Sequence, residues 1–334
     1  MTAHGNAREG SALTGVVLYG SGAFAVPSFE ALATRQTELG IEIRLVVSQP
    51  DRPAGRGRRE QPTAVTAWAL HQGLPLIRPE SVNDHEPIGR VRSTHAPIAV
   101  VVAFGQKLSN ELLEGVRAVN LHGSLLPAWR GAAPIQRSLM AGDARVGVSV
   151  IEVAAAMDAG GVYAAAETEP LPGETAGELH DRLARLGVEP LVRVVALMKS
   201  GGAVAQPQDA SKATRARKLS RADSWVDFGQ SAEAVAARIN GLSPWPATEA
   251  TISGNPVRIL RARVSSNRLL ASGSVAEVMP DGSVSCGTGA VELLEVQSPG
   301  GRPLALAAFL NGRRLSAGVR VESAGKAAGS EGVV

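Results

Sequence analysis

Three polar residues on two strand-like segments have side chains that could do chemistry together. Asn120 and His122 lie two apart at the end of the apolar run at residues 118–122, and Asp158 follows in the turn at residues 157–161. Because strand side chains alternate between faces, the Asn120 amide and the His122 imidazole point the same way. Two such donors can stabilise a developing oxyanion, and a carboxylate near the imidazole can assist loss of a proton. The three residues therefore suit acyl transfer to an amine, which needs no metal and no covalent nucleophile.

Each of the three residues also has an ordinary structural interpretation. Asn120 can be a turn residue, His122 a strand-end histidine with satisfied ring nitrogens, and Asp158 a loop aspartate. Their setting favours catalysis, because residues 123–127 turn the chain after the strand and Pro134 opens a predicted helix. Open α/β sheets bind their ligands at the carboxyl ends of strands, which is where this pattern places the pair.

The residues around the pair carry a family resemblance. Residues 120–127 read NLHGSLLP, and residues 129–136 read WRGAAPIQ. This window resembles the 10-formyltetrahydrofolate-dependent formyltransferase family, whose signature is N-[LIV]-H-x-S-L-L-P, and within it the enzymes that formylate initiator methionyl-tRNA. The resemblance spans roughly residues 15–320 and returns in three further segments: VAFGQKL at 102–108, SPWP at 243–246 and FLNGRRL at 309–315.

The resemblance implies roles for individual residues of this chain. Asn120, His122 and Asp158 match the family's catalytic residues. The formyl donor is expected to be 10-formyltetrahydrofolate, bound by two segments and without a metal. The expected folate-binding residues are Phe104, Gly105, Gln106, Leu108, Ser124, Leu125, Leu126 and Pro127.

An arginine-rich loop follows the second predicted strand. Its prolines and glycines predict a segment with neither helix nor strand, and it leaves the edge of the sheet that carries Asn120. Arginines at that edge suit phosphate contacts, although a solvated surface loop is the alternative. The resemblance implies that this loop reads the acceptor end of initiator tRNA. The predicted tRNA-binding residues are Arg52, Arg56, Arg58 and Arg59 in the loop, and Lys212, Arg215, Arg217 and Lys218 before the second domain. Further basic residues that could track the tRNA backbone are Arg258, Arg261, Arg263 and Arg268.

The order of predicted elements indicates an α/β protein with two domains. Strands predicted at residues 15–19, 41–48, 97–104, 118–122, 146–153 and 162–166 alternate with helices at 27–37, 63–72, 110–115 and 134–140. Such alternation predicts a Rossmann-like, mostly parallel sheet. A capping box at Thr175 and Glu178 opens a helix towards Lys199, which Pro190 should break or kink.

The second half of the chain has a different pattern. Ser231 caps a predicted helix to Asn240, and short strands separated by glycine and proline turns follow. These strands indicate a small all-β domain, and the resemblance implies an OB-like β-barrel. The predicted boundaries are a disordered extension at 1–13, a catalytic domain at 14–200, a linker at 201–217, a tRNA-binding barrel at 218–321 and a disordered tail at 322–334.

A glycine motif near the N-terminus suggests a different function, which we reject. Residues 20–25, GSGAFA, fit G-x-G-x-x-[GA] after a strand, the pattern of dinucleotide-binding proteins. The acidic residue that should end the second strand is misplaced, since Glu42 lies within that strand and Asp51 beyond it. The formyltransferases usually have G-T-P-x-F-A here. The chain departs from the family at Ser21, Gly22 and Ala23, at Ala128 where a basic residue is frequent, and at Ala159 and Gly161 after the catalytic aspartate.

The composition of the chain is that of a globular protein from a reducing compartment. The chain has 334 residues, which suggests two domains, and 44% hydrophobic with 19% charged residues is typical of a globular protein. One cysteine, Cys286, excludes an internal disulfide and fits a reducing compartment, and the N-terminus lacks the apolar region of a signal peptide. We expect a monomeric cytoplasmic enzyme with initiator methionyl-tRNA and folate as partners and no membrane. The alternatives are a formyltransferase acting on an amino sugar nucleotide, and a tRNA-binding module with a decayed catalytic site.

Overall fold

The computed structural model describes residues 13–54, 59–266 and 274–323, and the chain forms two compact units. Unit 1 comprises Met1–His122, Ser149–Ala165 and Ala184–Pro207, and unit 2 comprises Gly123–Val148, Ala166–Leu183 and Gln208–Val334. The first elements are β1 (Thr14–Gly20), α1 (Val26–Thr34), α2 (Gln36–Leu39), β2 (Ile41–Val47), β3 (Arg52–Ala54), β4 (Arg59–Gln61), α3 (Ala64–His71), β5 (Leu76–Ile77), α4 (His85–Arg92), β6 (Ile98–Val102), α5 (Asn110–Leu113) and β7 (Arg117–His122).

The remaining elements include the strands of a second sheet. They are β8 (Arg130–Gly131), α6 (Pro134–Ala141), β9 (Val146–Glu152), β10 (Val162–Thr168), α7 (Ala176–Leu186), α8 (Val188–Ser200), β11 (Arg215–Ala216), α9 (Ala232–Gly241), β12 (Thr248–Ile252), β13 (Asn255–Val264), β14 (Val284–Ser285), β15 (Ala290–Gln297), α10 (Leu306–Gly312) and β16 (Val321–Ser323). Short 3-10 helices lie at Ala23–Ala25, Ala210–Lys212 and Arg221–Asp223.

The larger sheet has seven strands in the order β10-β9-β7-β6-β1-β2-β5. Strands β5, β2, β1, β6 and β7 are parallel, and β9 pairs antiparallel to β7. The predicted mostly parallel, Rossmann-like sheet is therefore confirmed. The chain builds β2 and β5 on one side of β1 and then returns to place β6 on the other side. The carboxyl ends of β1 and β6 are consequently the topological switch point, where open α/β sheets bind ligands.

The structure corrects several predicted elements. The arginine-rich segment, predicted to contain no strand, begins and ends in the hairpin β3–β4, in which Arg52 lies opposite Gln61. The predicted helix at 27–37 is divided by Arg35 into α1 and α2. Strand β5 and helix α4 were not predicted; the two residues of β5 are too few to show a period.

The predicted break in the long helix is confirmed, but it falls at Gly187 rather than at Pro190. A Cβ atom at position 187 would lie 2.7 Å from Leu121 Cδ2, so a side chain there would have to displace the end of the Leu121 side chain on β7. Pro190 is the third residue of α8, where its missing N–H is one that the first turn leaves unpaired. Close packing on β7 therefore ends α7, and proline is tolerated just after the restart.

The smaller sheet closes into a barrel. Its five strands are antiparallel in the order β14-β15-β13-β12-β16. The segment around Ala276 joins its two edges: the Ala276 N–H donates to the Ser285 carbonyl (2.9 Å), and the Val321 N–H donates to the Ala276 carbonyl (2.8 Å). The predicted OB-like barrel is therefore confirmed. Burial raises the pKa of the Cys286 thiol to about 12, so this thiol stays protonated and unreactive.

Within the described ranges, no helix is both long enough and apolar enough to span a bilayer. Residues 1–12 and 324–334, which carry most of the two predicted disordered termini, lie outside the described residues. At the C-terminus β16 continues to Ser323, two residues past the predicted end of the barrel domain. The predicted linker contains the 3-10 helix Ala210–Lys212 and strand β11, which pairs with β8.

The capping box at the start of α7 is confirmed and is joined to the barrel. The Glu178 carboxylate accepts from the Thr175 N–H (2.9 Å), and Thr175 Oγ1 accepts from the Glu178 N–H (3.3 Å). The other carboxylate oxygen accepts from Arg261 Nη2 of β13 at 2.6 Å. The Arg261 guanidinium is the main reason that the pKa of Glu178 falls from 4.5 to about 2. Glu178 thus caps a helix and forms an ion pair at the same time.

Glu178→Gln is expected to lower the free energy of unfolding at neutral pH by about 1 kcal/mol or less, because the half-exposed ion pair is screened by solvent. A depressed carboxyl pKa stabilises the protein above the ordinary value of 4.5, and the effect is lost as pH falls towards 2. The variant should therefore lose less stability than the wild type between pH 4.5 and pH 2. Denaturant unfolding at several pH values measures this, with Glu249→Gln, whose Arg258 partner is 3.9 Å away, as the control. Equal pH dependence in wild type and Glu178→Gln would contradict it.

Candidate active site

The end of strand β7 carries the two predicted donors. Strand β7 lies between β6 and β9, with Asn120 opposite Ile151 and His122 opposite Ser149. The two side chains lie on the same face of the sheet because they are two residues apart in one strand. Asn120 is half-buried and His122 is only 6% exposed. Neighbours on both sides fix the register, so both donors have a defined place at the carboxyl end.

The structure brings Asp158 to this pair. Its Oδ2 lies 3.7 Å from His122 Nδ1, and its side chain is 14% exposed. This distance is too long for a hydrogen bond between these two atoms, and both groups are largely buried. Asp158 has a φ of +53°, a left-handed conformation that aspartate adopts more readily than most residues. The predicted grouping of amide, imidazole and carboxylate is thus present in space.

Two glycines hold the turn that presents Asp158. The Glu152 N–H at the end of β9 donates to the Gly161 carbonyl at 2.9 Å. A Cβ atom on Gly160 would lie 1.9 Å from the Glu152 carbonyl oxygen, so no side chain fits there. A Cβ atom on Gly161 would lie 2.7 Å from Ala205 Cβ. The departure from the family at Gly161 therefore has a local cause, since residue 205 occupies the space that a side chain would need.

The loop after β6 contains four of the predicted folate-binding residues. The side chains of Phe104 and Leu108 are buried in the core of unit 1, where Phe104 packs edge-on against Tyr19 with ring centroids 5.5 Å apart. Gln106 accepts from the Val82 N–H at 2.8 Å, so its side chain braces a neighbouring loop. Gly105 is exposed and has a φ of +78°. In this loop it is therefore the main chain around Gly105 that can meet a ligand, while the neighbouring side chains hold it in place.

The loop after β1 explains the glycine motif without a dinucleotide. The N–H groups of Ser21 and Gly22 both donate to the Ala103 carbonyl, at 3.2 and 3.1 Å. These amides would have to face a pyrophosphate in a dinucleotide site, and here they are already bonded. A Cβ atom on Gly20 would lie 2.6 Å from the Phe29 ring of α1, so this glycine serves close packing. The geometry supports rejecting the dinucleotide interpretation.

The second predicted folate segment belongs to unit 2. Ser124 is buried, and its hydroxyl donates to the Ala128 carbonyl at 2.7 Å, while the Ala128 N–H donates to the Leu125 carbonyl at 3.2 Å. Residues 124–128 thus form a turn closed by its own hydrogen bonds, with Leu126 and Pro127 half-buried in it. Ala128 stands where the family frequently has a basic residue, and it contributes a carbonyl to the turn.

Two of the predicted tRNA-binding arginines of unit 1, Arg52 and Arg59, lie on the strands of the β3–β4 hairpin. Arg52 is exposed and forms an ion pair with Glu80 at 2.8 Å. Arg59 begins β4 on the opposite strand. Arg56 and Arg58 lie outside the described residues. The base of this hairpin adjoins the carboxyl edge of β2, which is the edge where β7 presents His122.

The basic residues of unit 2 fall into two kinds. Arg215, Arg217 and Lys218 are exposed, and Lys212 pairs with Asp209 at 3.4 Å on the surface. The arginines of β13 are instead held by carboxylates, as in Arg263 with Glu292 at 2.6 Å and Arg261 with Glu178. Arg268 lies outside the described residues. Cations near β11 are therefore available for an external anion, and those of the barrel strand are largely neutralised.

Sequence reasoning missed one residue beside the site. The Gln49 amide donates to the Phe104 carbonyl at 2.6 Å, although the two residues are far apart in the chain. The sequence offered no signal for this, because a glutamine in a loop has many possible partners. Among the residues that the structure describes, no group of three His, Cys, Asp or Glu side chains is arranged to hold a metal ion.

Gly160→Ala is expected to displace the turn that carries Asp158, because the new methyl group would overlap the Glu152 carbonyl oxygen. The free energy of unfolding should fall by about 2 kcal/mol or more, as for other backbone clashes. The His122 ring resonances in an NMR spectrum, identified by their loss in His122→Ala, should shift. Gly89→Ala in α4 is the matched control, since nothing lies within 4 Å of its added methyl group. Unshifted His122 resonances with wild-type stability would contradict this account.

Comparison with known proteins relates this site to a family. The family model "Formyl transferase" matches residues 15–195, and "Formyl transferase, C-terminal domain" matches residues 218–314. The methionyl-tRNA formyltransferase of Paracoccus denitrificans is 38% identical over 302 residues, covering 90% of this chain and 98% of that protein. The enzyme of the same name from Halorhodospira halophila is 40% identical over 311 residues, covering 92% and 99%.

Solved structures share the fold at low sequence identity. HypX from Aquifex aeolicus, crystallised with tetrahydrofolic acid, aligns with a TM-score of 0.58 at 16% identity over 90% of this chain and 47% of that one. The N-formyltransferase from Helicobacter canadensis, in complex with folinic acid and dTDP-3-aminofucose, gives 0.61 at 12% identity over 84% and 98%. The sequence matches along nearly the whole chain show that this protein belongs to the methionyl-tRNA formyltransferase family.

Proposed function

We propose that this protein transfers a formyl group from 10-formyltetrahydrofolate to the amino group of methionine on initiator methionyl-tRNA. The observation that carries the proposal is the grouping of Asn120, His122 and Asp158 at the carboxyl end of β7, with a His122–Asp158 distance of 3.7 Å. Relatives named methionyl-tRNA formyltransferase, at 38–40% identity, support the choice of acceptor. The product is the charged tRNA that starts translation.

Asn120 and His122 act on the oxygen of the group that is transferred. Attack by an amine moves negative charge onto this oxygen, and N–H donors fixed in advance stabilise that charge. The Asn120 amide and the His122 imidazole both offer N–H groups on one face of β7. Burial of His122 keeps water from competing for its ring, which strengthens the interaction. Each donor is expected to contribute about 10²–10³ in rate.

Asp158 acts through the imidazole and on the proton of the amine. The attacking nitrogen becomes positive and must lose a proton, and a carboxylate beside the ring favours that transfer. The 3.7 Å contact with His122 Nδ1 can shorten when a substrate closes the site, as catalytic contacts commonly do. The turn that contains Gly160 and Gly161 packs closely against Glu152 and Ala205 and so holds Asp158 in position. The carboxylate therefore needs to move little during the reaction.

The residues present fit a folate donor. When bound, 10-formyltetrahydrofolate would supply the formyl carbon that the amine attacks; the bond from that carbon to N10 would break, and tetrahydrofolate would leave with a proton on N10. A folate ring carries donors and acceptors on its edge, which suit the exposed main chain around Gly105, and residues Phe104, Gln106 and Leu108 fix that main chain. The turn at residues 124–127 is proposed as the second segment that holds the donor.

The tRNA is proposed to meet the basic hairpin and the cations near β11. Arg52 and Arg59 lie on strands β3 and β4, and Arg56 and Arg58 lie outside the described residues. The other proposed contacts are Lys212, Arg215, Arg217 and Lys218. Arginine and lysine side chains bind a nucleic-acid backbone by releasing its counterions. The proposal also includes a cytoplasmic, monomeric enzyme without a membrane partner, which ultracentrifugation and cell fractionation would test.

The second candidate is formylation of an amino sugar nucleotide. It is motivated by the structure of the Helicobacter canadensis enzyme, whose fold this chain shares at 12% identity. Similarity at that level supports the fold and not the acceptor. The matches to methionyl-tRNA formyltransferases are far closer and extend through the barrel, so tRNA is the acceptor we favour.

A formylation assay decides between the two acceptors. The wild type should formylate charged initiator tRNA and leave dTDP-3-aminofucose unmodified. Asn120→Ala and His122→Ala should each lower turnover about 100-fold or more, because each removes a donor to the developing oxyanion. The matched control is His180→Ala, which removes another histidine that lies beside an aspartate, but on the surface of α7. Its turnover should equal that of the wild type.

Two results would contradict the proposal. Preferential formylation of the sugar nucleotide would replace tRNA as the acceptor. Near-wild-type turnover of folded Asn120→Ala or His122→Ala would remove that residue from the chemistry.

The basic residues should show themselves in the salt dependence of tRNA binding. Arg56→Ala and Arg217→Ala should each weaken binding and reduce the log–log salt slope by roughly 0.7–0.9, since each removes one phosphate contact. Arg263→Ala is the matched control, because Arg263 is already paired with Glu292 at 2.6 Å and should leave the slope unchanged. Binding is measured by fluorescence anisotropy at several salt concentrations. Wild-type slope and affinity in Arg56→Ala or Arg217→Ala would show that the residue does not contact the tRNA.

A further inference from the structure

The base of the basic hairpin is tied to the loop after β6 by a triangle of hydrogen bonds. Gln49 lies three residues before Arg52, where β3 begins. Its side-chain amide donates to the Phe104 carbonyl at 2.6 Å, and its own N–H donates to Ser21 Oγ at 3.0 Å. The Ser21 hydroxyl donates to the same Phe104 carbonyl at 3.2 Å. Loops following β1, β2 and β6 thus converge on one carbonyl oxygen at the switch point of the sheet.

The Gln49 amide also restricts the next residue of that loop. A Cβ atom on Gly105 would lie 2.4 Å from Gln49 Nε2, and Gly105 has a φ of +78°. The glutamine therefore lies across the exposed main chain that is proposed to meet the folate. Any ligand that fixes Gly105 also restricts Gln49, and with it the entry to the hairpin.

A second connection runs beside the first but is weaker. Arg78 pairs with Asp51 at 2.7 Å, and Arg52 pairs with Glu80 at 2.8 Å. The segment that bears these partners is held to the same β6 loop by Gln106, which accepts from the Val82 N–H. Exposed ion pairs contribute little, so this connection yields more readily than the half-buried amide of Gln49.

We infer that Gln49 is a positioning residue that couples binding of the folate to binding of the tRNA. This inference rests on the proposed function and goes beyond it, because it assigns a linkage between the two substrates to one hydrogen bond. Folate binding at the β6 loop favours the arrangement in which the Phe104 carbonyl holds Gln49, so the base of the hairpin is already restricted when tRNA arrives. Binding of the folate thereby includes part of the conformational-entropy cost that binding of the tRNA would otherwise include. By thermodynamic linkage, the tRNA must increase the affinity for the folate by the same factor by which the folate increases the affinity for the tRNA.

The experiment measures tRNA affinity with and without saturating tetrahydrofolate, which cannot react. In the wild type, tetrahydrofolate should tighten binding of initiator methionyl-tRNA by roughly fivefold, the worth of one neutral hydrogen bond. In Gln49→Glu the carboxylate keeps the shape of the side chain but cannot donate, so the ratio should fall to about one. The readout is the ratio of the tRNA affinities measured with and without tetrahydrofolate. A general loss of tRNA affinity caused by the added charge lowers both affinities equally and leaves this ratio unchanged.

Controls separate this role from a merely structural one. Gln49→Ala introduces no charge and should also give a ratio near one. Gln72→Ala removes another glutamine of unit 1, bonded to Glu30 at 3.0 Å, and should keep the wild-type ratio. Thermal unfolding checks that each variant is folded. If neither Gln49 variant folds, the wild-type ratio decides.

A wild-type ratio near one, or an undiminished ratio in either folded Gln49 variant, overturns the inference while leaving the proposed function intact. Failure of the wild type to bind tRNA or tetrahydrofolate overturns the proposed function, and the inference with it. The two failures are therefore distinguishable in the same titrations.

Discussion

The register of β7 is the constraint on which the rest of the site depends. The side chains of a strand alternate between faces, so a slip of one residue would carry Asn120 and His122 to the opposite face of the sheet. Pairing with parallel β6 on one side and antiparallel β9 on the other prevents that slip. Because β9 runs antiparallel to β7, the last residue of β9, Glu152, lies opposite Val119. The chain that follows Glu152 then forms the turn that bears Asp158. The pairing of β7 with β9 thus fixes the positions of Asn120 and His122, and the turn after β9 places the Asp158 carboxylate beside His122.

Three glycines lie closely against neighbouring segments of unit 1. Gly160 lies against the Glu152 carbonyl, Gly187 against Leu121 and Gly105 beneath the amide of Gln49. At each of these positions a Cβ atom would lie closer than 3.0 Å to a neighbouring atom. The glycines therefore do not make the site flexible. They allow neighbouring segments to approach one another more closely than a side chain at these positions would permit.

Charge is distributed so that some arginines stabilise the fold and others stay available. Arg261 lies between Glu178 and Glu295 and keeps the pKa of Glu178 low, so it belongs to the framework of unit 2. Arg217 and Lys218 are exposed beside β11. A net charge of only +3 conceals this division. For a chain that binds a polyanion, the position of the unpaired cations matters more than the sum.

The sequence by itself determined the larger features of this protein. Period and turn residues predicted the parallel sheet, the capped helices and the small barrel, and the separated motifs predicted the family. Asn120 and His122 could be paired from the sequence because a two-residue spacing within one strand fixes their common face. The Thr175–Glu178 capping box was equally predictable, since its bonds join residues three apart. These features share one property: the interactions that produce them are local, or repeat with a short period.

Tertiary structure alone decided the features that depend on residues distant in the chain. Nothing near Asp158 indicates its 3.7 Å contact with His122, and nothing near Gln49 indicates the Phe104 carbonyl 55 positions away. The break at Gly187 was expected at Pro190, because the proline is visible in the sequence and the nearby Leu121 side chain is not. Nothing near Arg261 and Arg263 in the sequence indicates the carboxylates that hold them, since Glu178 and Glu292 lie far away in the chain. Composition and spacing give the type of each group, but pairing distances depend on which segments the fold brings together, and that follows from packing of the whole chain.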